Sequence, residues 1–305
     1  MKELLNNIIE SNRRYTKQGE LAAYIPELTK ANKDALGVCV TTLDGQEFCA
    51  GDCETKFTIQ SISKVISLII ALMDNGKEKV FSKVGVEPTS EAFNSITNLE
   101  TKNLHRPLNP MINAGAIAIV SLIEGENSEC VFNKILDFTK KMTGNENLHI
   151  DENIYRSEKS TGDRNRSLAY FMKSTGVITK DIDEVLDAYF RQCSIEVTCR
   201  DISRIGAVLA NDGVIPWNGE KLVPKEIARI VKAIMTTCGM YDESGEFAVN
   251  IGLPAKSGVG GGVMAAVPSK LGIGVVGPAL DDKGNSSAGI KVLEDLSKKL
   301  NLSIF

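Results

Sequence analysis

Apolar residues recur three and four positions apart through the middle of the chain. The elements they predict there are helices: Val131–Met142, Ile182–Cys193, Thr198–Asn211 and Lys225–Cys238, within a stretch from about Val80 to Met240. Asp201 and Ser203 near one start, and Asn211-Asp212-Gly213 near its stop, punctuate the pattern. The segment 1–18, opening on the amphipathic Met1–Glu10, reads as a helix, and Val65–Met73 as a buried helix too short to span a bilayer. Elsewhere the period is that of strands. Ala35–Thr42 and Gln46–Gly51 flank Leu43-Asp44-Gly45, a hairpin signal in which Asp-Gly supplies the positive-φ turn. Past Asn250, Leu253–Lys256, Gly262–Val267 and Leu271–Gly277 predict strands between glycine- and proline-rich turns, followed by a helix over Ser287–Leu300.

Strands at both ends and helices between them predict an α/β (α+β) fold. One domain is expected from residues 1–64 and 241–305, a mainly helical domain from 65–240, and a small-molecule site in the cleft between them. Composition agrees with a globular chain: of 305 residues 43% are hydrophobic and 24% charged. A net charge of -4 gives no footprint for nucleic acid or an anionic membrane. With no export signal evident, the expected location is cytoplasmic. The seven cysteines, an odd number without zinc-knuckle spacing, are expected as free thiols and not as a disulfide framework. The two histidines, His105 and His149, sit in no convincing turn motif. That argues against a multi-histidine metal site and against a serine–histidine triad. No cofactor is expected.

Ser61-Ile62-Ser63-Lys64 supplies an alternative chemistry. It lies where an extended stretch turns into the Val65–Met73 helix, and residues three apart on a helix share a face, so Ser61 meets Lys64 while Ser63 points elsewhere. A lysine whose pKa is lowered by burial or nearby positive charge can act as base for a serine nucleophile. The first helical turn offers free N–H groups to an oxyanion. By itself the spacing arises by chance in a chain of this length. Lys256-Ser257-Gly258 strengthens it, because serine acyl-enzymes with an S-x-x-K helix build the opposite wall of the site from a K-[ST]-G strand. The glycines after it are expected to let substrate lie against the strand, with the Val259 N–H as second oxyanion donor. Read as a phosphate cradle, Gly258–Gly262 lacks both the strand–loop–helix context and the trailing Gly-Lys-Ser/Thr.

These motifs, with Tyr24-Ile25-Pro26-Glu27-Leu28, Gln60, Asn109–Ile117, Glu158, Thr161–Asn165, Tyr189, Cys238–Tyr241 and Lys256–Gly262, closely resemble those of the bacterial-type glutaminases. That family comprises serine-dependent amidohydrolases of the β-lactamase/transpeptidase-like superfamily. The resemblance runs nearly end to end. It implies an antiparallel sheet flanked by helices, and hydrolysis of L-glutamine to L-glutamate and ammonia through a γ-glutamyl ester on Ser61. Lys64 and Tyr241 are then the acid–base pair, and Ser61 and Val259 the oxyanion donors. Tyr24, Asn113, Glu158, Asn165 and Tyr189 become substrate-binding groups, with Glu158 on the α-ammonium, while Gln60, Lys256, Ser257 and Gly258 support the site. Asp163 and Arg164 read as a structural pair shaping a loop. The family implies a homodimer or homotetramer. Without the resemblance, Asn113 reads equally as a helix cap, Glu158 as a surface acid, Asn165 as part of a salt-bridged loop, and Tyr189 and Tyr241 as core aromatics.

Overall fold

Segments more than two hundred residues apart in the chain meet as neighbouring strands. The computed structural model describes residues 1–101 and 105–305. Its strands are β1 (Gly37–Thr42), β2 (Glu47–Gly51), β3 (Phe57–Thr58), β4 (Glu196–Val197), β5 (Ala255–Ser257), β6 (Gly262–Val267) and β7 (Leu271–Val276). Among the described residues five of them form one antiparallel sheet in the order β2-β1-β7-β6-β5, while β3 and β4 pair separately. The hairpin closes where Asp-Gly predicted, with Gly45 at φ 82°.

The helices are α1 (Lys2–Asn12), α2 (Ser63–Lys83), α3 (Thr97–Thr101), α4 (Asn113–Leu122), α5 (Ser128–Thr143) and α6 (Glu152–Thr161). They continue with α7 (Asp163–Ser174), α8 (Ile182–Cys193), α9 (Cys199–Ala210), α10 (Lys225–Cys238), α11 (Ser244–Asn250) and α12 (Ser287–Leu300). The expected first helix stops at Asn12 and the chain continues as a 3-10 turn over Arg13–Gln18. There the Asn12 amide donates to the Ile8 carbonyl at 2.9 Å and to Asp295 at 2.7 Å, tying the helix end to α12.

Alternation along the strands sorts the two faces. Val38, Val40, Ile273 and Val275 pack on Leu5, Ile8 and Ile9 of α1 and Val292, Leu293 and Leu296 of α12. Cys39, Met264, Ala266 and Val276 face the larger core that includes α9. Helix α9 lies hard against that face because β7 offers it Gly272 and Gly274. A Cβ on either would come within 2.1 Å of α9 backbone atoms. Thr198 caps α9 in a reciprocal box with Asp201, whereas Ser203, expected at the start, lies inside the helix and shares a 2.7 Å hydrogen bond with Thr41. Helix α4 is apolar on all sides and correspondingly enclosed by other helices.

One sequence expectation is corrected here. Cys39 and Cys49 are disulfide-bonded, while Cys53, Cys130, Cys193, Cys199 and Cys238 are free. The two stand directly opposite in the β1–β2 register with Cα atoms 4.1 Å apart. Cross-strand pairing brought them together, which a count of cysteines and their linear spacing does not reveal. Among the described residues no helix is long and apolar enough to cross a membrane.

Candidate active site

The chain leaves β3, makes a 3-10 turn over Gln60–Ile62 and enters α2 at Ser63. Gln60 adopts φ 47°, a left-handed conformation that a residue with a Cβ rarely takes, immediately before Ser61. The turn is held from the sheet side. Gly258 and Gly260, in the turn after β5, press on it so closely that a Cβ would meet the Ile59 carbonyl oxygen at 2.9 Å and the Thr58 carbonyl oxygen at 2.5 Å. This corrects the expectation that these glycines make room for substrate: the protein's own backbone fills that space.

The two serines of the motif are separated by their partners. Ser63 Oγ is fully buried and donates to the Gln60 carbonyl at 2.6 Å. Ser61 opens on a pocket lined also by Tyr24, Ile25, Gln60, Phe93, Asn94, Asn113, Glu158, Thr161, Gly162, Arg164, Asn165, Tyr189 and Cys193. The sequence-predicted binding residues Tyr24, Asn113, Glu158, Asn165 and Tyr189 thus meet around Ser61. Lys64, Tyr241, Val259, Lys256, Ser257 and Gly258 stand outside this lining.

Lys64 has no exposed surface, and its Nζ donates to Asn113 Oδ1 at 2.7 Å and to the Met111 carbonyl at 3.2 Å. Asn113 in turn donates from Nδ2 to Asn165 Oδ1 at 2.9 Å, so this residue orients the lysine as well as facing the pocket. Burial lowers the Lys64 pKa to about 8, against the smaller opposing pull of Cys193 and Glu158. A neutral amine has two hydrogens and one lone pair. Asn113 and Met111 take both hydrogens, leaving the lone pair as a proton acceptor.

Tyr241, at φ 56°, begins the short turn before α11. Its hydroxyl interacts with Ser61 and donates to the Ser257 carbonyl at 3.2 Å. Burial pushes its pKa well up, so the phenol keeps its proton at rest. Lys256 Nζ lies 4.3 Å from the Tyr241 ring centre and donates to the Gly239 and Ser257 carbonyls at 3.0 and 2.7 Å. Burial and the nearby Lys64 hold Lys256 well below the usual lysine range. Phe93 bridges the parts, its ring 4.9 Å from that of Tyr241 and 6.5 Å from that of Tyr24.

Glu158 is buried on α6, and its Oε2 has no hydrogen-bond partner. Burial raises its pKa to about 8, and contacts with Gln60, Cys193 and Lys64 only partly offset this. A buried carboxyl with one oxygen left unpartnered beside a pocket suits a cation.

Asp163 and Arg164 do not form the expected pair. Asp163 pairs with Arg166 at 3.3 Å, whereas Arg164 faces the pocket and its Nε donates to the Asn94 carbonyl at 2.9 Å. The i, i+3 spacing of Asp163 and Arg166 on α7 explains the exchange. Cys193 also escaped the sequence reading, although it follows Tyr189 by four residues and so shares its face of α8. Phe93 and Asn94 come from an irregular segment with no local signal. Neither histidine contributes: His105 Nδ1 lies 2.8 Å from the Leu99 carbonyl, and His149 sits 3.8 Å from Glu196.

An antiparallel sheet flanked by helices, with a serine-bearing turn beside a K-S-G strand, defines a mixed α/β protein of the β-lactamase-like class. The glutaminase family model matches residues 19–305. The chain is 66% identical to a glutaminase of Clostridium tetani over 100% of both chains. A probable glutaminase from Bacillus subtilis superposes with a TM-score of 0.94 at 42% identity, covering 100% of this chain and 97% of that one. The covalent complex of a Bacillus subtilis glutaminase with 5-oxo-L-norleucine, formed by reaction with 6-diazo-5-oxo-L-norleucine, superposes with a TM-score of 0.92 at 41% identity, covering 100% and 99%. The chain belongs to the glutaminase family, whose members are amidohydrolases.

Proposed function

We propose that the protein hydrolyses L-glutamine to L-glutamate and ammonia through a γ-glutamyl ester on Ser61. The observation that carries this reading is that Ser61 and Glu158, whose Oε2 has no hydrogen-bond partner, line one pocket. A nucleophile and a cation site in one pocket suit an amide whose other end bears an ammonium group. In this reading residues 1–64 and 241–305 supply the wall bearing Ser61, Tyr241 and Val259. Residues 65–240 supply the one bearing Asn113, Glu158, Asn165 and Tyr189, and the site is the cleft between them.

The pKa directions assign the acid–base roles. The Tyr241 phenol is too basic to ionise at rest, whereas Lys64 near 8 is neutral in part of the molecules at working pH. Lys64 is therefore the resting base and Tyr241, beside Ser61, the relay. The Ser61 proton passes to Lys64 as Oγ attacks the γ-carbonyl carbon. The N–H groups of Ser61 and Val259 receive the oxyanion, each contributing about 3–4 kcal/mol in comparable sites. Collapse breaks the C–N bond while Tyr241 protonates the nitrogen, which leaves as ammonia, and Lys64 returns the Ser61 proton to the phenol. Water then adds to the ester as its proton passes by way of Tyr241 to Lys64; collapse breaks the C–Oγ bond and returns that proton to Ser61, releasing glutamate. The ammonium of the substrate replaces the proton that burial holds on Glu158, so binding should strengthen as pH rises through about 8.

Two measurements test this reading together. The protein should release ammonia from L-glutamine, and 6-diazo-5-oxo-L-norleucine should form one covalent adduct, located on the Ser61 peptide by mass spectrometry. No ammonia release, or an adduct elsewhere, rejects it. Tyr241→Phe keeps the ring that Phe93 and Lys256 contact but removes the relay, and should lower kcat by about 10²–10⁴-fold with little change in KM. A variant retaining most of its turnover would remove Tyr241 from the proton path.

A further inference from the structure

Helices α6 and α7 meet end to end at Gly162, and both ends face the pocket: Thr161, Gly162, Arg164 and Asn165 line it beside Glu158. The last turn of a helix carries partial negative charge and the first turn partial positive charge. Each end here bears a side chain of matching sign. Glu158 lies in the last turn of α6, and Arg164 in the first turn of α7. A zwitterion laid across this junction therefore meets a carboxylate at one end and a cation at the other.

Arg164 is held in place for such a role. Its Nε donates to the Asn94 carbonyl, while the Asn113 N–H donates to the neighbouring Phe93 carbonyl at 2.8 Å. The 93–94 segment is thus fixed to α7 and α4 at consecutive residues, and the anchored Nε fixes the plane of the guanidinium. Among the described residues no ion pair to a carboxylate is found for Arg164, whereas its neighbour Arg166 pairs with Asp163. The remaining guanidinium N–H groups form a fork matched to a carboxylate.

We propose that Arg164 is a specificity-determining residue that recognises the α-carboxylate of the substrate, so that the α6–α7 junction reads both charges of a free amino acid. This rests on the reading of the substrate as glutamine. Asn165 and Tyr189 supply neutral contacts, and Arg164 supplies the charge that distinguishes a free α-carboxylate from an amidated one.

The test pairs a side-chain change with a matching substrate change. KM is measured for L-glutamine and for its α-carboxamide, L-glutaminamide, with wild type, Arg164→Ala and Arg164→Lys. Dissociation constants for both ligands are measured by calorimetry on Ser61→Ala protein with and without the Arg164 changes. Arg164→Ala should raise KM and Kd for L-glutamine about tenfold and leave those for L-glutaminamide near wild type, with kcat little changed. Arg164→Lys, which keeps the charge and loses the fork, should fall between. Equal weakening of both ligands would make Arg164 only a clamp on the 93–94 segment and overturn the proposal, as would unchanged affinity for L-glutamine. Absence of wild-type turnover would instead reject the glutaminase reading, and the calorimetric comparison would still decide the role of Arg164.

Discussion

Ser61→Ala should lower ammonia release from L-glutamine by on the order of 10⁴-fold or more while leaving substrate affinity close to wild type. The expectation comes from what the hydroxyl does and does not hold. Its neighbour Ser63 has a structural bond, donated to the Gln60 carbonyl, and Ser63→Ala should keep most of the turnover despite the loss of that bond. The Ser61 side chain faces the pocket, so its removal empties the reacting position and leaves Glu158, Asn165 and Tyr189 in place to bind. The left-handed φ that strains the turn belongs to Gln60 and is untouched by the change. Steady-state turnover combined with calorimetric binding separates the effects. Wild-type-like turnover in Ser61→Ala, or a larger loss in Ser63→Ala, would assign the nucleophile elsewhere.

Ser61 and Lys64 could be read along the chain because they lie within one turn. Glu158, Asn165 and Tyr189 carry no local signal of a site and are placed by the resemblance to the glutaminases. The helices Ile182–Cys193, Lys225–Cys238 and Ser287–Leu300 begin and end where their patterns predict, since periodicity and burial agree there. What was not legible depends on pairing across distance. The Cys39–Cys49 bond follows from strand register. The Gly258 and Gly260 contacts depend on how the sheet edge meets the Gln60–Ile62 turn, which no local pattern encodes. Arg164 was misassigned because charge complementarity to Asp163 is visible in sequence, whereas the direction of a side chain at a helix start is not. Asn113 changed meaning for a similar reason. Its bond to Lys64 joins residues forty-nine positions apart and makes it, with the Met111 carbonyl, a partner that orients the lysine amine.

Lys64→Met should lower kcat by about 10²–10⁴-fold and remove its rise with pH. Methionine is the informative replacement because Lys64 is fully enclosed, and a shorter side chain would leave a cavity that confuses lost packing with lost chemistry. The sign of the pH effect follows from the direction of the shift. Desolvation favours the neutral amine and brings the Lys64 pKa down to about 8, so the ammonium predominates below that pH and the competent base above it. Wild-type kcat/KM should therefore rise between about pH 7 and pH 9. Burial puts Glu158 in the same window, and since its carboxylate must form to receive the substrate ammonium in the proposed reading, it acts in the same direction. The two are separable. The Glu158 contribution belongs to binding and appears in kcat/KM, while kcat reports the substrate-bound enzyme and retains only the rise due to Lys64. In Lys64→Met, kcat should be flat through this window, whereas kcat/KM should still climb as Glu158 ionises. An undiminished rise of kcat in that variant would show that the base is another group, with the Tyr241 phenol, beside Ser61, the next to test.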